Sequence, residues 1–309
     1  MKLRRKLKRS NDIKHLKNKL INTSRPSLAK KPHYIIKAPI SMFTGIATKR
    51  NDQATKKCVL AQNALLSKLE TTIPSFEKDS ISSFGGDLIL GKGAFGTVTL
   101  CKIIHMNIAV AAKTISGTLS DVKAEIYVMQ RLAGHPCFPY VYGLHLPGRI
   151  LMEFIGTIND GNIVPAKPVR NYIGKKELGV SLWYTICRHL VDAMMFLHNK
   201  DILHNDLHSR NIVLRPKSMM PVVIDFGKAT LATHPLTYNI KPGTKQWDQY
   251  NKFHQHLAYE LRNMPGSPQT IYSDVFSLGS ILKEIGHFEN ITDIFNIGRK
   301  MKRQSSMER

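Results

Sequence analysis

The motif His-Asn-Asp-Leu-His-Ser-Arg-Asn at residues 204–211, followed by Asp-Phe-Gly at residues 225–227, constrains the fold of this chain more than any other stretch. It supplies two carboxylates, Asp206 and Asp225, and one amide, Asn211. Two short β-branched runs, bounded by Pro and by Lys-Ser, lie between the amide and the second carboxylate and predict a hairpin. This hairpin would bring the three side chains together at one end. Oxygen ligands of this kind suit Mg²⁺, which usually shares its coordination sphere with substrate phosphates.

The pattern His-x-Asp-x-x-x-x-Asn followed by Asp-Phe-Gly resembles the catalytic loop and metal loop of the protein kinases. Asp-Phe-Gly alone is weak evidence, and the alternative from the residues alone is a polar β-hairpin. The longer motif at this distance before it is much more specific. The resemblance covers residues 85–290. It implies an α+β, two-lobed protein-kinase-like fold with a small β-rich N-lobe, a helical C-lobe and a basic N-terminal extension.

A glycine-rich loop joins two predicted strands after residue 87. Glycines let backbone amides approach phosphate oxygens without side chains in the way. Dinucleotide-binding folds also use Gly-x-Gly-x-x-Gly, but there the loop leads from a strand into a helix. Here the segment that follows is β-rich, which favours the kinase type. The nucleotide-contacting residues implied for this region are Gly91, Lys92, Gly93, Gly96 and Val98.

The run Val-Ala-Ala-Lys at residues 110–113 resembles the kinase strand that carries a phosphate-binding lysine. The resemblance implies that Ala111 lines the nucleotide pocket and that Lys113 binds the phosphates. A helix is predicted over about residues 121–133. Its Glu125 is expected to pair with Lys113, and the alternative is an ordinary exposed helix charge.

The strand predicted at residues 149–155 resembles the one that leads into the hinge between kinase lobes. The resemblance implies that Met152 forms the back wall of the pocket. Glu153 and Ile155 would offer backbone groups to adenine. Residues 156–180, rich in Gly, Pro and Asn, are predicted to be a loop with a short helical piece.

The C-terminal half continues the resemblance with a helix predicted over 181–200, whose buried stripe is Leu182, Ile186, Leu190, Ala193 and Leu197. Residues 228–257 are interpreted as the activation segment. Its histidines at 234, 254 and 256 have irregular spacing, which argues against a metal site. Asp274 resembles the residue that braces the catalytic loop, and a basic helix near 291–303 is predicted to end a shortened C-lobe.

The resemblance also assigns the chemistry of phosphoryl transfer, with ATP and Mg²⁺ as cofactors. Asn211 and Asp225 are expected to hold Mg²⁺. Asp206 is expected to orient the attacking hydroxyl and accept its proton, so the catalytic residues are Asp206, Lys113 and Glu125.

Three departures from the kinase pattern bear on regulation and on the acceptor. Asn205 replaces the usual Arg, so an activation-segment phosphate would lack its partner, and activity without such phosphorylation is expected. His208 stands where Ser/Thr kinases usually carry Lys, whereas Arg210 is typical of tyrosine kinases. Gly243-Thr244 resembles the pair in Ser/Thr kinases whose Thr meets the catalytic Asp, which favours a Ser/Thr acceptor and leaves tyrosine open.

The net charge of +23 is uneven, since residues 1–84 carry 19 Lys and Arg against 5 Asp and Glu. The basic run in residues 1–31 is a candidate for an import receptor or a polyanion, or is simply a solvated tail. The scattered cysteines form no disulfide or zinc pattern, and no apolar run is long enough for a membrane helix. An intracellular protein of nucleus or cytoplasm is expected, and its oligomeric state stays open. The predicted organisation is a disordered tail (1–54), a helical lead-in (55–83), a kinase N-lobe (84–155) and a shortened C-lobe (156–309).

The leading hypothesis is therefore a protein kinase acting on a protein substrate. A small-molecule phosphotransferase of kinase-like fold is the first alternative, because His-x-Asp-Leu-His-x-x-Asn also resembles the loop of the aminoglycoside phosphotransferases. A catalytically weak pseudokinase scaffold is the second. The complete set of catalytic residues argues against the scaffold.

Overall fold

The computed structural model describes residues 73–84, 88–93, 96–145 and 147–307, with side chains as far as residue 303. The predicted disordered tail and the helix expected near residues 55–70 lie outside these ranges. Within them, no helix is both long enough and apolar enough to cross a membrane.

The N-terminal part of the described chain forms a curled seven-stranded sheet. Its strands are β1 (Ser75–Phe76), β2 (Ile81–Ser83), β3 (Ile89–Gly93), β4 (Gly96–Ile103), β5 (Ile108–Ile115), β6 (Val141–His145) and β7 (Arg149–Glu153). The order is β1-β6-β7-β5-β4-β2, and β3 also pairs with β4. All these pairs are antiparallel except β1 with β6. The long β4–β5 hairpin, eight residues on each side, forms the spine of the sheet.

Within the predicted helical lead-in (55–83), residues 75–76 and 81–83 are strands of the sheet, and residues 78–80 form only a short 3-10 turn between them. Pro74 cannot donate a helical hydrogen bond, and its carbonyl accepts one from the Leu144 amide at 2.8 Å. Gly143 allows this close approach, since a Cβ there would lie 2.2 Å from the Pro74 oxygen. Phe76 then buries its ring in a small core cluster of the sheet.

Helix α1 (Leu119–Arg131) packs against the sheet and begins two residues before the predicted start. Thr118 and Asp121 form a capping box, in which the Asp121 carboxylate accepts from the Thr118 amide at 2.6 Å. The buried face of α1 is apolar apart from Glu125, which is 3% exposed. A buried carboxylate on this face requires a partner.

The C-terminal part is mostly helical, and its bounds are α2 (Val180–Asn199), α3 (Lys245–Phe253), α4 (Tyr259–Asn263), α5 (Ile271–Phe288) and α6 (Thr292–Met307). The predicted stripe of α2 is confirmed at Ile186, Leu190, Ala193 and Leu197, with Leu182 only partly buried. Trp183, fully buried, completes it. The basic helix predicted near 291–303 is α6.

Glycines set the close packing of α6 against α5. A Cβ at Gly286 would lie 2.2 Å from the Phe295 nitrogen, and one at Gly298 would lie 2.4 Å from the Lys283 nitrogen. Neither backbone atom can move aside cheaply, so the two helices approach more closely than larger residues would allow. The last helix is thereby fixed to the core helix of this part.

Short antiparallel pairs connect the helices and shape the loops. Their bounds are β8 (Gly156–Asn159), β9 (Asn162–Pro165), β10 (Ile202–Leu203), β11 (Ile212–Leu214), β12 (Pro221–Val223), β13 (Thr230–Leu231), β14 (Thr237–Tyr238) and β15 (Ser267–Pro268), with 3-10 turns at Lys78–Ser80 and Val169–Asn171. The pairs are β8–β9, β10–β13, β11–β12 and β14–β15. The predicted hairpin around Pro221 is confirmed as β11–β12.

The β8–β9 hairpin corrects the loop predicted for residues 156–180. Asp160 and Gly161 form its two-residue turn with φ angles of 48° and 81°. Positive φ at both central residues is the mark of the hairpin turn that Asp-Gly favours. The β-branched pairs on either side supply the strands, and the short 3-10 turn at 169–171 is the helical piece.

Candidate active site

Lys113 lies at the centre of the site, on β5, with its ammonium between two carboxylates. Its Nζ is 2.7 Å from Glu125 Oε1 on α1 and 2.8 Å from Asp225 Oδ1. The expected Lys113–Glu125 pair is therefore present. Asp225 is 112 residues away in sequence, so this ion pair connects the sheet to the segment that follows the β11–β12 hairpin.

The three charged groups shift one another's pKa values because they are close together and largely buried. Burial alone would lower the pKa of Lys113, but the carboxylates of Glu125 and Asp225 outweigh it and raise that pKa above its ordinary value. Burial would raise the pKa of Asp225, yet the Lys113 ammonium holds it below its usual range. Burial raises the pKa of Glu125, which the same ammonium opposes. Lys113 thus stays charged throughout the neutral range.

Asp206 lies in the loop between β10 and β11 and is 9% exposed. Its Oδ2 lies 3.0 Å from Lys228 Nζ, and its Oδ1 lies 3.7 Å from His256 Nε2. Burial would raise the pKa of Asp206, but these two neighbours hold it well below the ordinary carboxyl value. The carboxylate is therefore ionised at any working pH. It suits orientation of a hydroxyl better than early removal of its proton.

Asn211 and Asp225 are fixed at the ends of the hairpin strands. The Asn211 side-chain nitrogen donates to the Asp206 carbonyl at 3.0 Å, and the Asn211 carbonyl accepts from the Ile224 amide at 2.9 Å. Because its nitrogen is used in this way, the amide oxygen is the atom left for a cation. Asp225 adopts a left-handed backbone, with φ of 67°. One carboxylate and one amide oxygen form a donor set that suits Mg²⁺.

Asp274, at the start of α5, braces the loop that carries Asp206. Its carboxylate accepts from the backbone amides of His204 at 2.8 Å and Asn205 at 3.0 Å, and it lies 3.1 Å from His198 Nε2. The side chain is 2% exposed. This is the bracing role that the resemblance implies for Asp274, here with three partners.

Asn205 ties the same loop to the start of the activation segment. Its side-chain nitrogen donates to the Lys228 carbonyl at 2.7 Å and to Thr230 Oγ1 at 2.9 Å. The residue has a left-handed backbone, with φ of 66°, a conformation that Asn tolerates better than most residues. A neutral amide therefore stands where most kinases carry an arginine.

The described part of the glycine-rich loop pairs through β4 with the strand that carries Lys113, and residues 94–95 lie outside the described chain. Gly91, Lys92 and Gly93 are exposed on β3, and Gly96 begins β4 with φ of 144°. A Cβ at Gly96 would lie 1.9 Å from the Thr114 oxygen, so only glycine fits there.

The sheet register brings the remaining predicted pocket residues onto three adjacent strands. Val98 pairs with Lys113 across β4 and β5, and Ala111 pairs with Met152 across β5 and β7. Ala111 is buried, and Met152 is partly buried against the main core. The structure thus brings these side chains close to the lysine.

The hinge residues are held by contacts that the sequence did not indicate. The Glu153 carboxylate forms a two-pronged ion pair with Arg215, at 2.7 and 3.0 Å, and its backbone amide donates to the Tyr140 carbonyl at 2.7 Å. The Ile155 carbonyl accepts from the Ala166 amide at 2.9 Å. The Glu153 carboxylate also accepts from the Tyr140 amide at 3.2 Å, so this carboxylate, the Glu153 amide and the Ile155 carbonyl are all engaged within the protein. An isolated Arg after β11 gave no signal for this pairing.

Thr244 does not lie where the Gly243-Thr244 resemblance places it. Its hydroxyl caps α3, accepting from the Trp247 amide at 3.2 Å and donating to the Lys241 carbonyl at 2.7 Å, and the residue is exposed. The side chains beside Asp206 are instead Lys228 and His256. Sequence reasoning missed both, and the only signal for Lys228 was its position directly after Asp-Phe-Gly.

Comparison with known proteins agrees with this geometry. A family model described as the protein kinase domain matches residues 86–306. The chain belongs to the protein kinase family, and its predicted two-lobed fold is confirmed.

Several curated proteins are similar to this chain. Calcium-dependent protein kinase 22 of Arabidopsis thaliana is 31% identical over 53% of this chain and 34% of its own length. Serine/threonine-protein kinase 10-A of Xenopus laevis is 28% identical over 65% of this chain and 20% of its own. A MAP kinase kinase of Saccharomyces cerevisiae is 26% identical over 68% and 39%. The chain thus spans well under half the length of each of these relatives.

Proposed function

We propose that this chain is an ATP- and Mg²⁺-dependent protein kinase that transfers the γ-phosphate of ATP to a protein hydroxyl. The observation that carries the proposal is the position of Lys113, which touches both Glu125 and Asp225 while Asp206 stays ionised nearby. Phosphoryl transfer depends chiefly on positioning and charge neutralisation, and these residues provide both. A polar hairpin without catalytic function would have no reason to bury this set of charges.

Each residue has a distinct task in this proposal. Lys113, oriented by Glu125, would hold nucleotide phosphates, and Asn211 and Asp225 would ligate the cation. When bound, Mg²⁺ would neutralise charge on the phosphates of ATP. Asp206 would align the acceptor hydroxyl and take its proton late in the transfer, in keeping with its low pKa.

Serine or threonine is the proposed acceptor. The support comes from the names of similar proteins, four of which are described as a serine/threonine-protein kinase. Thr244 no longer adds to it, because that residue is exposed and caps α3. The acceptor is tested by comparing the rate of phosphate transfer to casein with the rate of transfer to a poly-Glu-Tyr polymer. A clear preference for the polymer would overturn this part of the proposal.

The central test compares the wild type with Asp206→Asn in a radiolabelled ATP transfer assay. Loss of the carboxylate should lower kcat by about 10²–10⁴-fold, the usual contribution of such a group. Binding of ADP should stay within about twofold, since Asp206 has no predicted contact with the nucleotide. Asp201→Asn is the matched control, because it makes the same change at an exposed position five residues earlier, just before β10. Equal activity in wild type and Asp206→Asn would refute the assignment.

The two alternatives give different outcomes in the same assay. A small-molecule phosphotransferase would phosphorylate an amino sugar and leave casein unlabelled. A pseudokinase scaffold would bind ADP with no turnover in the wild type.

The basic run in residues 1–31 is proposed to contact an import receptor or, alternatively, a polyanion, in a protein of nucleus or cytoplasm. Its charge carries the proposal, because clustered Lys and Arg bind polyanions in a salt-dependent way. Replacing the six Lys and Arg of residues 2–9 by Gln in the full chain should lower the salt concentration that elutes it from heparin. Unchanged elution would argue for a solvated tail.

A further inference from the structure

Two histidines converge on Asp206 to form a group that phosphoryl transfer does not require. His208 follows Asp206 by two residues, and His256 comes from the end of the activation segment. Each of the three offers one ligand atom, and these atoms all lie within 4.8 Å of one another. The two imidazole rings meet edge to face, with centroids 5.0 Å apart. We call Asp206, His208 and His256 the histidine–aspartate cluster.

Two nitrogens of this cluster are buried without a hydrogen-bond partner. His208 Nδ1 and His256 Nε2 are inaccessible to solvent and make no hydrogen bond to any described residue. Buried polar atoms are nearly always paired, so two unpaired imidazole nitrogens in residues that converge on one carboxylate call for an explanation. A cation that accepts a lone pair from each histidine would provide that explanation.

The two carboxylate oxygens of Asp206 have different neighbours, and one of them is placed to bind such a cation. Asp206 Oδ2 is taken by the Lys228 ammonium at 3.0 Å. Oδ1 instead points to His256, with 3.7 Å between it and Nε2. Ligand atoms around a tetrahedral zinc lie about 3.3 Å apart, so small side-chain movements suffice to close the site.

We propose that the histidine–aspartate cluster binds a divalent transition metal of the Zn²⁺ class through Asp206 Oδ1, His208 and His256. Two imidazoles and one carboxylate form a donor set that suits zinc and leaves a fourth position for water. Mg²⁺ would not compete there, because it prefers oxygen ligands such as Asp225 and Asn211. The cluster is therefore a second metal site, distinct from the nucleotide site.

The consequence for activity rests on the proposed kinase function. A metal on Asp206 Oδ1 occupies the oxygen that would align the acceptor hydroxyl. Zinc should therefore inhibit transfer without displacing nucleotide from Lys113. Zinc would thus act as an inhibitor that competes with the protein substrate and not with ATP.

Binding is tested on the purified full chain with Co²⁺, which gives visible absorption bands when coordinated by nitrogen and oxygen in a distorted tetrahedron. We expect these bands in the wild type, their loss on addition of Zn²⁺, and affinity lowered at least tenfold in His256→Gln. His234→Gln is the matched control, since it removes an exposed histidine from the same segment. Equal Co²⁺ spectra and affinities in wild type and His256→Gln would overturn the proposal.

A second variant and a second readout keep the outcomes separate. If His256→Gln does not fold, as judged by circular dichroism, His208→Gln removes a different ligand and the same tenfold loss is expected. In an active preparation, zinc inhibition should weaken at least tenfold in the variant that binds Co²⁺ poorly. Co²⁺ binding by an inactive chain would support the metal site and refute the kinase proposal. Phosphate transfer by a chain that shows no Co²⁺ bands would support the kinase proposal and refute the metal site.

Discussion

Replacement of Asp274 by Asn is expected to destabilise this protein although it changes only one atom of the side chain. The carboxylate accepts from two backbone amides of the catalytic loop and lies within hydrogen-bond distance of His198. An asparagine keeps one oxygen but places an NH₂ group where the second oxygen was. One buried backbone N–H then faces another donor and loses its partner.

The expected loss follows from these contacts. An unsatisfied buried donor costs about 1–3 kcal/mol, and a hydrogen bond to a neutral instead of a charged acceptor is weaker by about 1 kcal/mol. Together they lower the free energy of unfolding by about 3 kcal/mol, which is more than a hundredfold in the folded-to-unfolded ratio. Transfer activity should also fall, because the braced loop carries Asp206.

Urea unfolding followed by tryptophan fluorescence measures this change, since Trp183 is fully buried in the helical part. With a slope of about 3 kcal/mol per molar urea, the midpoint should shift down by about 1 M. Asp248→Asn is the control, because it makes the same substitution at an exposed position of α3 and should change stability by less than about 0.5 kcal/mol. If both variants lost the same small amount, the bracing role of Asp274 would be wrong.

Three further predictions test other parts of the structure. Arg215→Met should lower the free energy of unfolding by about 1–2 kcal/mol and raise KM for ATP in steady-state kinetics, because it leaves the Glu153 carboxylate without its two-pronged partner. In the same urea experiment, Gly161→Ala should lower the free energy of unfolding by about 1 kcal/mol, because Gly161 has a φ of 81°. Gly179→Ala should lower it by only about a few tenths of a kcal/mol, because Gly179 has a negative φ and free space around it. Equal losses in the two variants would contradict this prediction. Burial raises the pKa of the Cys137 thiol to about 12, so at pH 8 only about one thiol in 10⁴ is ionised. Mass spectrometry should therefore find Cys137 unmodified by iodoacetamide in the folded protein at pH 8, and its labelling should rise as the pH approaches that pKa. Fast labelling at pH 8 without unfolding would refute this prediction.

The residues that carry a motif could be placed from the sequence. Lys113, Glu125 and Asp225 meet in the structure although 112 residues separate the first from the last. No local sequence pattern indicates that residues so far apart in the chain are in contact. The prediction depended on the resemblance of three separate motifs to one family, whose fold brings them together.

The contacts missed from the sequence are of two kinds. The Arg215–Glu153 pair and the approach of His256 to Asp206 join residues far apart in the chain, and a lone Arg or His carries no local signature of its partner. The β8–β9 hairpin is different, since Asp160-Gly161 between β-branched residues is a recognised turn signal that was overlooked among Gly, Pro and Asn residues.

The strands near Pro74 were missed because they are too short to show a period of two. β1 has two residues and β2 has three. Such pieces are fixed by the sheet they join and by the burial of Phe76, not by their own propensity.

The side-chain amide of Asn205 connects the catalytic loop of this kinase to the segment after Asp-Phe-Gly through two hydrogen bonds. Uncharged groups form both sides of this contact, so we expect it to form without phosphorylation of the activation segment. We expect control of such an enzyme to fall on its synthesis, its destination in the cell and whatever occupies its cleft.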